Sequence, residues 1–466
     1  MPTGEYNFNS YLSPFTWRYG SDLMRQIWSE YNKRLEWRKV WVYLAQAQCE
    51  LGLVKPEQLA DLQLHTNDVD IPRSLEIETV IQHDLMAELK VFTSQCPVGG
   101  GILHSGATSM DIEDNADVLR LRHSIDLLLE KLSTILSIFI EKIQHWADLP
   151  IMGYTHLQPA APTTLGYRFA LYAQDLFQDW QLLRNKRASL KGKGFKGAVG
   201  TAATFADLLG IDNFQRFESR MSELLDLKFF YVSSQTYPRK QDYEVLSILA
   251  GIGASLHKFA FDMRILQSPT IGEVSEPFGS NQVGSSAMPF KRNPIQSEKI
   301  NSLARLIAQM PRVAWDNAAN SLLERTLDDS ANRRILLAEA CLICDELLEV
   351  ADKIVSGLVV DDLAIKHNLA KFGPFSATER VLAALIKKGA DRQQMHELLR
   401  KHSLNAWQKL ENGLANPLVS EIVEDVTFQQ FLTPDELLDL MQSQTNTGIA
   451  SQAARQLAAE IKEAVG

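Results

Sequence analysis

Apolar residues recur every three or four positions over long stretches of this chain. Between residues 125 and 140, its longest apolar stretch, Leu128, Leu132, Ile135 and Phe139 fall on one helical face while Asp126, Glu130 and Lys131 interrupt the run. The charges argue against a membrane span and for a core-facing amphipathic helix. The same period predicts helices over about 114–146, 162–191, 241–267, 298–317 and 331–356. Each is apolar over a broad face, as bundle helices packed against several neighbours must be. Alternating Val, Ile and Thr between turns is nearly absent, so the chain is expected to be all-α. Breaks fall at the loop 96–101, with its three consecutive glycines, and at 357–362. They predict three helical domains: N-terminal (1–110), a central long-helix bundle (111–360) and C-terminal (361–466).

The chain has 466 residues, 45% hydrophobic and 22% charged, which excludes disordered and low-complexity classes. A net charge of −10 opposes sequence-independent binding to nucleic acid or to an anionic membrane. An anionic substrate would therefore need a local cluster of Arg and Lys. Four cysteines are too few for a disulfide framework and point to a reducing cytoplasm. Cys341 and Cys344 form C-x-x-C, but at helical spacing among Leu, Ile and Ala they read as buried helix residues. The polar N-terminus lacks the apolar core of a signal peptide.

One segment departs from this helical background: Gly284-Ser285-Ser286-Ala287-Met288-Pro289-Phe290-Lys291-Arg292-Asn293-Pro294, followed by Glu298. Gly284 and the two hydroxyls allow close approach to a ligand, and the prolines keep the segment out of a helix. Lys291 and Asn293 offer a cation and an amide to an anion. Three further segments place histidine among Gly, Thr, Ser and Pro at predicted element ends: His83-Asp84, His104 to Ser109, and Gly153 to Pro159 with His156. His65, His123, His145, His367, His396 and His402 sit among charged or periodic residues and receive no role. Gly192-Lys193-Gly194-Phe195-Lys196-Gly197 satisfies G-x-G-x-x-G, but a helix end precedes it where a dinucleotide site needs a strand. A tight turn beside the site is the expectation.

The loop, with Ser-Ser-x-Met-Pro-x-Lys-x-Asn spacing and a glutamate five residues on, resembles the signature of the fumarase and aspartase superfamily. Together with Arg18-Tyr19, His83-Asp84, Gly106 to Ser109, Thr155 to Pro159, Gln235-Thr236-Tyr237 and Glu324 to Arg334, it resembles the adenylosuccinate lyase family from about residue 12 onward. The resemblance implies β-elimination of fumarate from adenylosuccinate and from succinylaminoimidazole carboxamide ribotide, in purine biosynthesis. It implies Ser285 as base, His156 as acid, Lys291 as charge stabiliser and Glu298 as the partner of His156. Thr108, Ser109, Lys291 and Asn293 would hold the succinyl end. Arg18, Tyr19, Arg325, Ser330 and Arg334 would hold the nucleotide end, with His83 and Asp84 on the phosphate or ribose side; Gln235 and Lys299 are further substrate contacts. It implies no cofactor and no metal, small-molecule purine substrates, and a homotetramer with active sites shared between subunits. Two positions depart from the family's pattern, Gln82 before the His-Asp pair and Lys299 after the signature glutamate, where basic residues and arginine are common. The alternatives are a sister enzyme such as an argininosuccinate lyase, or an inactive homologue; the latter is disfavoured because Ser285, His156 and Lys291 are all present.

Overall fold

The computed structural model describes residues 8–466 and is 67% helix and 4% strand. The all-α expectation holds. By contacts the chain forms two compact units, each made of three stretches of sequence. One comprises the residues up to Leu132 with Asp179–Ala254 and Ser302–Glu349; the other comprises Ser133–Gln178, Ser255–Asn301 and Val350–Gly466.

In the first unit, the helix Glu30–Glu50 buries Trp37 and Trp41 beside Arg34 and Arg38. A buried guanidinium needs a partner, and Glu88 supplies one to both arginines at 3.4 and 2.7 Å. This pairing fixes the helix Asp84–Gln95, which His83 caps by accepting the Met86 N–H on Nδ1. The chain then turns through His104 and Gly106, both left-handed at φ 64° and 80°, into the 37-residue helix Ser109–His145. Trp41 donates its indole N–H to His104 Nδ1 at 3.1 Å, and burial holds the imidazole below its usual range. His104 is thus held in a structural contact.

In the second unit, periodicity missed a feature. The helix expected from 162 begins only at Leu165, because Gln158–Thr164 is a strand paired antiparallel with Pro150–Thr155. The register Thr155↔Gln158 leaves His156 and Leu157 as the two turn residues, at φ 55° and 59°. A bulge at Gly153 bends the hairpin; a Cβ there would lie 2.6 Å from the Ala161 carbonyl oxygen. Arg168 fastens the hairpin base, reaching the Met152 carbonyl at 2.7 Å and Glu273 at 3.1 Å. A separate apolar core gathers Val381, Leu385, Leu399, Ile422, Phe428 and Leu437 near the C-terminus.

The remaining predicted helices are found as Lys240–Leu266 and Ser330–Ser356, while the one expected over 298–317 is broken into Ile295–Ile307 and Met310–Ala319. Pro311, which has no N–H to donate, occupies the first turn of the second piece. Cys341 and Cys344 lie buried in the Ser330–Ser356 helix. Among the described residues, Lys240–Leu266 is the one helix long and apolar enough, by length and composition, to cross a membrane, and 44% of its most apolar window is buried within the chain.

Candidate active site

The first unit brings together several of the residues expected to hold an anion. Asp84, at the start of its helix, pairs with Arg334 at 2.7 Å. Burial opposes ionisation of Asp84, but Arg334 and the Leu85 N–H outweigh it and hold the carboxyl below its usual range. His83 Nε2 lies 3.4 Å from the Ser109 hydroxyl, so the two predicted motifs meet. Ser330 and Arg334 line a cavity of about 110 Å³ with Asp84. Arg334 remains half exposed. Gln235 is tied to this region's other loop, its N–H donating to the Glu324 carbonyl at 3.0 Å. Arg325 turns back on that loop, bonding Asp329 at 2.8 Å and the Thr326 carbonyl. Arg18 lies exposed against the rings of Trp17 and Tyr19 and does not line the cavity.

Sequence motifs missed the frame that holds this set. Asp111, fully buried, accepts the N–H groups of Thr108, Lys196 and Gly197 and pairs with Lys193. The glycine-rich decoy is therefore a turn wrapped on the carboxylate that also anchors Thr108. Nearby, Arg239 joins Asp114 at 3.0 Å to Asp329 at 2.7 Å, and Arg333 joins Asp242 to the Tyr237 hydroxyl, both at 2.8 Å. These ion pairs fix the start of the Ser330–Ser356 helix, where Ser330 and Arg334 stand. The signal available in sequence was Thr-Tyr-Pro-Arg beside the Asp-rich run 328–329, but the pairing across the chain was not.

The second unit carries the signature loop and the His156 hairpin. Ser285 Oγ accepts two backbone N–H groups, from Ala287 at 3.4 Å and Met288 at 3.1 Å. Asn293 closes the loop by donating to the Gly284 carbonyl at 2.9 Å, which leaves its carbonyl oxygen and second N–H for a ligand. A Cβ on Gly284 would meet the Lys291 carbonyl at 2.2 Å, so only glycine fits. The Lys291 side chain is exposed. Glu276, buried, accepts the N–H groups of Gln296 and Ser297 and so caps the helix carrying Glu298 and Lys299. Glu298 faces Arg264 at 3.8 Å. His156 is exposed at the hairpin tip and takes no hydrogen bond or ion pair among the described residues; the expected His156–Glu298 partnership is not formed within this chain.

The family model described as Lyase matches residues 21–308, and that described as Adenylosuccinate lyase C-terminus matches 374–457. The adenylosuccinate lyase of Schistosoma mansoni is 39% identical over 430 residues, covering 90% of this chain and 89% of the relative. That of Saccharomyces cerevisiae is 38% identical, covering 96% and 93%. The chain belongs to the adenylosuccinate lyase family. The adenylosuccinate lyase of Archaeoglobus fulgidus, at 33% identity and 97% and 99% coverage, shows that the similarity reaches across domains of life. In fold, this adenylosuccinate lyase family member is similar to a 3-carboxy-cis,cis-muconate lactonizing enzyme from Pseudomonas putida, with a TM-score of 0.86, 23% identity and coverage of 97% and 99%. It is similarly close to a fumarate lyase from Mesorhizobium, at TM-score 0.83, 22% identity and coverage of 97% and 99%.

Proposed function

We propose that this carbon–nitrogen lyase eliminates fumarate from adenylosuccinate, releasing AMP, and from succinylaminoimidazole carboxamide ribotide. The observation that carries the chemistry is Ser285. A serine hydroxyl is a poor base until its alkoxide is stabilised, and the Ala287 and Met288 N–H groups are already aimed at that oxygen. Ser285 takes the proton next to a carboxylate, Lys291 offsets the growing negative charge, and His156 protonates the departing nitrogen. Thr108, Ser109 and Asn293 hold the succinyl group; Arg18, Tyr19, Gln235, Arg325, Ser330 and Arg334 hold the nucleotide, with His83 and Asp84 orienting Ser109 and Arg334.

We further infer a homotetramer with sites shared among subunits. Leu171, Leu182, Phe261 and Ile335 are exposed on long helices, which supports burial against other copies. Glu298 would then meet His156 of another subunit. The domain bounds 1–110, 111–360 and 361–466 belong to the same proposal, supported by the C-terminal family match at 374–457. Four unpaired cysteines fit a cytoplasmic setting. The test is fumarate release, followed by absorbance, from the two purine substrates and from argininosuccinate. Release from the purines alone is expected; release from argininosuccinate alone would overturn the reading.

A further inference from the structure

Ser109, Glu113 and Asp117 are four residues apart in the Ser109–His145 helix, so they stack on one face. Ser109 meets His83, and Asp117 meets Arg120 and Arg333 at 3.3 and 3.4 Å. Glu113, between them, makes no hydrogen bond or ion pair among the described residues. It lines the same small cavity as Asp84, Ser330 and Arg334.

The charged groups around that cavity come from every element packed there. They are Glu30 and Lys33 of the Glu30–Glu50 helix, Asp84 of the Asp84–Gln95 helix, Asp117 and Arg120 of the same helix as Glu113, and Arg333 and Arg334 of the Ser330–Ser356 helix. Most are committed to each other. Lys33 pairs with Glu30 at 2.8 Å, Arg120 with Asp117, and Arg333 with Asp242 and Asp117. Arg334 differs, being half exposed with Asp84 as its one ion-pair partner among the described residues. Burial, reinforced by Asp84 and Asp117 and opposed by Arg334, pushes the Glu113 carboxyl up to about 8. Near neutral pH it is an uncharged acid, and a mildly alkaline solution ionises it.

We propose that Glu113 tunes the anion affinity of the Ser330–Arg334 end of the site: as a neutral acid it leaves Arg334 to the substrate phosphate, and as a carboxylate it repels that phosphate and draws Arg334 to itself. Glu113 is a positioning residue that acts through Arg334, and the inference rests on the assignment of Arg334 to the phosphate. One extra negative charge in the cavity that would receive the phosphate, partly screened by water, weakens binding on the order of tenfold.

The test is calorimetric titration of the intact protein with AMP between about pH 6.5 and about pH 9. Wild type, Glu113→Gln, Glu113→Ala and Arg334→Gln are compared. Taking the variant-to-wild-type affinity ratio at each pH cancels the titration of AMP itself. For both Glu113 variants the ratio is expected to climb about tenfold across this range, in favour of the variant. Two variants guard against one that fails to fold, since each removes the titrating group. A ratio that stays level in the folded variants overturns the inference. Arg334→Gln separates the two layers: if it binds AMP as tightly as wild type, the phosphate assignment itself is lost, whereas weakened binding with a level Glu113 ratio sinks only the role of Glu113.

Discussion

Ser285 and His156 sit in opposite local settings. The serine oxygen is already gripped by two N–H groups, whereas the histidine stands exposed without a partner among the described residues. Both are proposed to act in proton transfer, so Ser285→Ala and His156→Ala are each expected to lower kcat by about a hundredfold or more. Substrate affinity, measured by equilibrium binding, is expected to stay close to wild type; near-normal turnover in either variant would remove its role. Glu113 yields a second expectation. Its folded-state value near 8 lies above the usual carboxyl value, so the fold favours the protonated form. Stability from that preference is complete at acid pH and is lost as pH rises through the window from about 4.5 to about 8. Glu113→Gln should therefore gain little in Tm near the acid end and more near pH 8; an equal shift at both ends would contradict this. The loop with Ser285, Lys291 and Asn293 stood out in the sequence because one short motif holds the three together. Glu113 did not, since its meaning depends on Asp84 and Arg334 arriving from distant segments. Asp111 was hidden for the same reason, as its partner Lys193 lies 82 positions away.

At the scale of elements, the long helices were legible because each keeps a 3.6-residue period over many turns. The hairpin was not. Its second strand, Gln-Pro-Ala-Ala-Pro-Thr-Thr, has two prolines and little β-propensity, and its pairing is fixed by the bulge and by Arg168 instead. The helix break at 308–309 could have been found from Pro311 alone. His156 and Leu157 both occupy left-handed backbone without being glycine, strain of the kind that persists where surroundings over-determine a turn. Two glycines set the geometry of the hairpin and the signature loop. Gly153→Ala forces a Cβ against the Ala161 carbonyl and displaces the hairpin tip; Gly284→Ala forces one against the Lys291 carbonyl and opens the signature loop. Each substitution is expected to reduce kcat at least tenfold by misplacing a reacting group. The exposed loop variant should keep a Tm near wild type, while the Gly153 variant, with its neighbour Met152 fully buried, should lose about 1–3 kcal/mol. Wild-type kinetics in both variants would show that the loop and hairpin absorb the extra atom.

For the whole molecule, the sequence gives fold class and chemistry more readily than it gives the association of copies, because an exposed apolar helix face has no partner written beside it. Mixing His156→Ala with Ser285→Ala protein, after dissociation and reassociation, tests the shared-site proposal. If each site draws the two residues from different subunits, about a quarter of sites in random hybrids are intact. Activity no higher than that of the parent variants, in hybrids shown to be tetrameric, would assign both residues to one chain. A different consequence follows from the division into two units. All five of its boundaries fall inside helices: Ser109–His145, Leu165–Ser189, Lys240–Leu266, Ile295–Ile307 and Ser330–Ser356. A ribosome adding about 5–20 residues each second therefore spends tens of seconds extruding a chain in which neither unit is complete. The first needs residues up to Glu349 and the second needs the C-terminal stretch. Fragments from interrupted synthesis before Glu349 would carry unmatched apolar halves of both units, so a truncation series should show soluble protein only near full length. Quality control during synthesis, rather than the stability of the finished fold, is then where this architecture is most exposed to failure.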